Sequence, residues 1–173
     1  MPRVCCSAQR RPEDGQTISA VPDQTLAPPC SRRPSRRRAR PRCVLIVDDS
    51  VDVRLLWRVA LTLAGFAVGE AANGTDALAK AVAVCPDVIV MDLCMPVMSG
   101  VEAARALKRD ARTANIPVVG VTAHLGSTLT SEFQRVCDEV LEKPVCPDLL
   151  VATLLRAMRS ARTGHGDVQG PVQ

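Results

Sequence analysis

Four short apolar runs, each closed by a polar or charged residue, constrain this chain more than anything else in it. Val44-Leu45-Ile46-Val47 ends on the acid pair Asp48-Asp49, and Val88-Ile89-Val90-Met91 ends on Asp92. Val118-Val119-Gly120-Val121 ends on Thr122, and Lys143 follows the brief run Val140-Leu141. Runs so short and so continuously apolar read as strands buried on both faces, covered by helices. In a parallel sheet all the strand C-termini lie on one edge, where open α/β folds hold their ligands. The pattern therefore predicts three carboxylates, a hydroxyl and an ammonium gathered at a single edge.

The segments between the runs support an alternation of strands and helices. The first strand, Cys43–Val47, leads to Ser50 as a helix N-cap. Leu55, Leu56, Val59, Ala60 and Leu63 then recur at helical spacing and predict the apolar face of that helix. Gly65 stops it, and Phe66–Ala71 reads as the second strand. Asn73-Gly74 turns into a helix through Ala77, Leu78, Ala81 and Val82, which Pro86 ends. Asp87–Met91 is the third strand, and Gly100 opens a helix through Ala103, Ala104 and Leu107. Val118–Val121 is the fourth strand, followed by a weaker helix near Ser127–Val136. Val140-Leu141 is a short fifth strand, and Leu149–Met158 the last helix.

Composition divides the chain in two. Residues 1–42 hold 10 arginines against 3 acids and seven of the 13 prolines, whereas residues 43–173 hold 12 basic against 15 acidic residues. The first stretch lacks hydrophobic periodicity and cannot offset its ordering entropy, so it is expected to be a disordered Arg/Pro-rich extension. A domain over residues 43–160 and a flexible tail over 161–173 complete the expected organisation. The run Ser31–Arg40 could grip polyanions only nonspecifically, because no aromatic or recognition helix accompanies it, and nucleic acid is not expected as a partner. Aromatics are only 2% of the chain, so Val, Leu and Ala must fill the core. No apolar stretch reaches membrane-spanning length and no leader h-region is present, so a cytoplasmic protein with no membrane partner is expected. The eight cysteines include no Cys-x-x-Cys pair, and a zinc site has little to build on. Cys43, Cys85, Cys137 and Cys146 flank apolar segments and read as small buried or half-buried fillers.

The chemistry of the predicted edge follows from its charges. Two carboxylates ~4 Å apart repel by roughly 4 kcal/mol at an effective dielectric of 20. Asp48, Asp49 and Asp92 would not stay ionised together without a cation, and a small hard ion such as Mg²⁺ suits a few carboxylates plus waters. Lys143 would pair with Asp92 when the site is empty and with a phosphoryl oxygen when it is filled. The Thr122 hydroxyl would donate to another phosphoryl oxygen, and Asp92 becomes a credible nucleophile for phosphoryl transfer. Taken singly, each residue has a plain reading: Asp48 or Asp49 as a helix cap, Thr122 as a β-branched strand residue, Lys143 as a surface lysine. Their joint order, with Pro144 directly after the lysine, argues against those readings.

The stretches Val44–Ser50, Met91–Gly100 (MDLCMPVMSG), Val121-Thr122-Ala123-His124 and Leu141-Glu142-Lys143-Pro144 together resemble the receiver domain of two-component response regulators. The resemblance covers Cys43 to Arg159. It implies a flavodoxin-like (CheY-like) doubly wound α/β fold, a five-stranded parallel sheet of order 2-1-3-4-5 with its site at the switch point. It further implies that Asp92 accepts phosphate from a histidine kinase or histidine phosphotransfer protein. Asp49 and Asp92 would ligate Mg²⁺ directly, Asp48 through water, and the Cys94 carbonyl would complete the protein ligands. Thr122 and Lys143 would bind phosphoryl oxygens, and the Lys143–Pro144 bond would be cis.

The chain departs from the family pattern at Val140, where receivers usually carry an aromatic residue that reports the position of the threonine. Cys94 and His124, two residues beyond Asp92 and Thr122, stand where the family tunes the lifetime of the acyl phosphate. The reading is a phosphoacceptor response regulator that is not itself an enzyme, carries no output domain and signals through contacts with an unknown downstream protein. The alternative is a receiver-like docking module in which phosphorylation is vestigial. A phosphatase-like hydrolase is a weaker candidate, because such enzymes carry a second Asp where Cys94 stands.

Overall fold

The computed structural model describes residues 40–123 and 134–163. Its elements are β1 Cys43–Val47, α1 Val51–Leu63, β2 Ala67–Ala71, α2 Gly74–Val84, β3 Val88–Asp92, α3 Gly100–Arg109, β4 Val118–Thr122, β5 Glu139–Glu142 and α4 Pro147–Thr163. The five strands form one parallel sheet in the order β2-β1-β3-β4-β5. Every residue of β1, β3 and β4 is buried, as expected of strands covered on both faces, while the edge strands β2 and β5 are mostly half-buried.

Because successive side chains along a strand point to opposite faces, each central strand feeds two cores. Leu45, Val47, Ile89, Met91 and Val118 pack with Ala77 and Ala81 of α2 and Ala103, Ala104 and Leu107 of α3. Val44, Ile46, Val88, Val90, Val119 and Val121 pack with Trp57 and Leu61 of α1 and Leu150, Leu154 and Ala157 of α4. Helix starts follow local chemistry. Ser50 and Asn73 accept from the amides of Val53 and Asp76, and Ser99 forms a reciprocal capping box with Glu102.

Helix α1 corrects the expected apolar face. Leu55, Leu56, Val59 and Leu63 are exposed, together with Val51, whereas Trp57 and Leu61 are buried and Val53 packs partly against them. Residues 53, 57 and 61 recur at i, i+4 and i+8 and share one stripe, so the period was right and the side was wrong. Apolar residues surround most of this helix, and periodicity then cannot say which stripe meets the sheet. Packing of Trp57 and Leu61 against the β1 and β3 side chains selects the stripe, and Arg54 on the same helix reaches back to the end of β1.

Smaller differences have local causes. Helix α4 is longer than Leu149–Met158: it begins at Pro147, a residue suited to the first helical position, and runs to Thr163, so residues 161–163 continue the helix where a flexible tail was expected. Strand β5 spans Glu139–Glu142, held to β4 along its whole length. Of the weak helix near Ser127–Val136, residues 134–136 are helical and 127–133 lie outside the described residues. Cys43 and Cys137 are buried and Cys85 is half-buried, as expected. Cys146 is exposed, against expectation, because it lies in the connection between β5 and α4 and not on an element facing the core. Among the described residues, no helix is long and apolar enough to cross a membrane.

Candidate functional site

Strand register assembles the site. Val47 pairs with Met91, so the residues that follow β1 lie beside Asp92, the last residue of β3. Asp92 pairs with Val121, and Thr122, the last residue of β4, pairs with Glu142 at the end of β5. The Lys143 amide then donates to the Thr122 carbonyl at 2.8 Å, binding the start of the β5–α4 connection to the end of β4. Four neighbouring strand ends, those of β1, β3, β4 and β5, thus present Asp48, Asp49, Asp92, Thr122 and Lys143 to one edge.

The side chains converge as well. Carboxylate oxygens of Asp48, Asp49 and Asp92 all lie within 4.8 Å of one another. Asp48 and Asp92 are buried and Asp49 is exposed. The Lys143 ammonium sits between two of them, 2.8 Å from Asp92 Oδ2 and 3.2 Å from Asp48 Oδ2. Each buried acid also accepts a backbone amide two residues on: Ser50 N donates to Asp48 Oδ1 and Cys94 N to Asp92 Oδ1, both at 2.9 Å. Asp92 is therefore held at both oxygens, one of them by an ammonium.

Burial pushes the Asp48 carboxyl above its ordinary range, outweighing the Ser50 amide and the Lys143 charge that favour ionisation. For Lys143, burial works against the ammonium, but the hydrogen bond and charge of Asp92, then Asp48, raise its pKa overall. The lysine partly neutralises an acidic pocket that has more negative charge than one ammonium can balance. An all-oxygen donor set of this size and charge fits a small divalent cation such as Mg²⁺.

Close packing behind Asp92 requires glycine at position 100. A Cβ there would collide with the Asp92 carbonyl oxygen and with Leu93 Cα, so α3 can start this near the strand end only without a side chain. Thr122 is buried, and its Oγ1 lies 3.9 Å from Cys94 Sγ. The Cys94 thiol is exposed. The Lys143–Pro144 peptide is cis. Val140 is half-buried against the core shared by α2 and α3. His124 lies outside the described residues.

One participant was not anticipated from the sequence. Arg54 of α1 donates from Nη1 to the backbone carbonyls of Asp48 at 2.7 Å and Asp49 at 3.1 Å. Its Nε lies 3.4 Å from Glu70 Oε2 on β2. An arginine in the first turns of a helix carries no signal of its own. Its acceptors become visible only when β1 and β2 are aligned, which sets Glu70 beside Ile46.

Known proteins share this fold and much of its sequence. The family model for the response regulator receiver domain matches residues 44–155. The phosphate regulon transcriptional regulatory protein PhoB of Pseudomonas aeruginosa is 40% identical over 131 residues, 75% of this chain and 56% of that protein. Protein PilH of the same organism is 37% identical over 117 residues, 64% of this chain and 93% of that one. The crystallised chemotaxis protein CheY4 of Vibrio cholerae superposes with a TM-score of 0.65 at 35% identity, covering 68% of this chain and 99% of its own. The chain spans about half the length of PhoB and of other transcriptional regulators it matches.

Proposed function

This chain belongs to the response regulator receiver domain family of two-component signalling, and on that premise we propose that it accepts a phosphoryl group on Asp92. The observation that carries the reading is the Lys143 ammonium bridging Asp48 and Asp92 within a cluster of three carboxylates. The donor is a phosphohistidine on a histidine kinase or histidine phosphotransfer protein. An Asp92 oxygen attacks phosphorus, the new O–P bond forms as the N–P bond breaks, and the imidazole departs with the electron pair. The product is an acyl phosphate on Asp92.

Each neighbour has a task in that transfer. Asp49 and Asp92 would hold Mg²⁺ directly, Asp48 through water, and the Cys94 carbonyl would complete the protein's share. Bound there, the ion would supply positive charge for the phosphoryl oxygens. The Cys94 amide keeps Asp92 oriented through Oδ1. Lys143 exchanges its bond to Asp92 for one to a phosphoryl oxygen, and Thr122 donates to another.

The signalling unit in this reading is residues 43–160, working in the cytoplasm. Its output is a population shift felt by a downstream protein partner. With Val140 in place of an aromatic side chain, that shift would run through packing around Thr122 and not through a ring rotamer.

The test is a small phosphodonor, an acyl phosphate or phosphoramidate, supplied with Mg²⁺ and followed by intact-mass measurement. The native chain should gain one phosphoryl group, and Asp92→Asn or removal of Mg²⁺ should abolish the gain. An equal gain in Asp92→Asn would reject Asp92 as acceptor. Val140 also favours a second reading, a docking module with vestigial phosphorylation, which predicts equal partner binding by native and Asp92→Ala chains.

A further inference from the structure

We propose that Arg54 is a positioning residue for the cation site, clamping the turn that carries Asp48 and Asp49 against the edge strand β2. The inference rests on the Mg²⁺ reading of that site. The Asp48 carboxylate is fixed by the Ser50 amide and Lys143. Asp49 is exposed, so the direction of its carboxylate depends on the backbone beneath it. Arg54 holds that backbone: Nη1 takes the carbonyls of Asp48 and Asp49 together, at 2.7 and 3.1 Å.

The guanidinium is itself anchored and largely withdrawn from solvent. Its side chain is 15% exposed, and Nε pairs with Glu70 Oε2 at 3.4 Å. Glu70 is pinned in turn, by Arg58 through Oε1 at 3.2 Å and by Lys80, which donates to its backbone carbonyl at 2.6 Å. The result is a continuous path of polar contacts from β2, through one arginine, to two consecutive carbonyls at the end of β1. A planar fork with donors in fixed directions can serve two carbonyls and a carboxylate at once. A lysine offers a single nitrogen and cannot span the same three acceptors.

Electrostatics and positioning predict opposite signs, which makes the idea testable. If Arg54 mattered only as a nearby positive charge, removing it would relieve repulsion and tighten Mg²⁺ binding. If it orients the acid-bearing turn, removing it weakens binding, by about tenfold for the loss of an outer support of a metal ligand. The experiment is calorimetric titration of the full chain with magnesium chloride, alongside thermal melting without the metal, for the native chain, Arg54→Met, Arg54→Lys and Asp49→Asn.

The expected result is Kd about tenfold higher in Arg54→Met and an intermediate value in Arg54→Lys, which keeps the charge but not the fork. Should Arg54→Met not fold, a Kd in Arg54→Lys clearly above the native value supports the clamp, and an unchanged value overturns it. Native-like or tighter binding in Arg54→Met also overturns it, even with a lowered melting temperature, because the side chain would then be merely structural. A native chain that binds no Mg²⁺, or an Asp49→Asn chain that binds it as well as native, rejects the cation site itself and not the clamp alone.

Discussion

The interior of the sheet and the perimeter of the molecule use the same residue types to different ends. Along β1, β3 and β4 every residue is buried, and Val, Ile, Leu and Met serve two cores in alternation. On α1 the same apolar chemistry continues around the helix, yet Leu61 is 0% exposed while Leu63, two residues on, is 84% exposed. In the β3–α3 connection, Val97 is fully exposed and held at φ +69°, a region that β-branched residues avoid. Apolar character therefore decides burial where a strand lies between two helical layers. Where one face of an element meets solvent, it does not.

The contrast can be broken or sharpened by substitution. Leu61→Ala should have the largest effect, a loss of about 2–5 kcal/mol in denaturant unfolding, as for other leucines truncated in a closed core. A loss below about 1 kcal/mol would place the inner stripe of α1 outside the cooperative core.

Cys137 tests the interior by pH. Burial, with the Asp138 charge beside it, pushes the thiol up to about 12 from an ordinary 9.0. The folded chain then keeps a proton that the unfolded chain releases, so this stabilisation is complete below about 9 and is lost as pH rises toward 12. Native protein should lose stability faster than Cys137→Ala across that window, by at most about 1.4 kcal/mol per pH unit. Parallel pH profiles for the two chains would refute it.

At the perimeter, Val97→Gly should stabilise the chain by about 1 kcal/mol, because it relieves a left-handed β-branched residue without removing a buried contact. Destabilisation would show that Val97 makes contacts its exposure hides. Leu63→Ser should change stability least, within about 0.5 kcal/mol. A larger loss would erase the distinction between the two stripes of α1.

Much of the site was legible before any coordinates, and for a physical reason. A strand of period two, buried on both faces, tolerates a charged residue only at its end, so Asp48 and Asp92 had few places to be, while Thr122 and Lys143 were placed by the ends of the runs that precede them. Parallel pairing then brought those ends together. Arg54 was not legible, because its acceptors are backbone atoms of other segments and its anchor, Glu70, is reached only across the β1–β2 pairing. The exposure of Cys146 was missed in a similar way, since a cysteine next to an apolar run looks the same whether it begins a turn or ends a strand.

By itself the sequence determined the alternation of strands and helices, the capping residues, and the set of polar groups delivered to the carboxyl edge. These follow from local periodicity and from the cost of burying charge anywhere else. Only the tertiary structure decided which stripe of α1 faces the sheet and which backbone carbonyls Arg54 holds. Those are matters of rotation and register between segments, and a helix surrounded by apolar side chains has no local preference among its faces until a neighbouring surface closes against one of them.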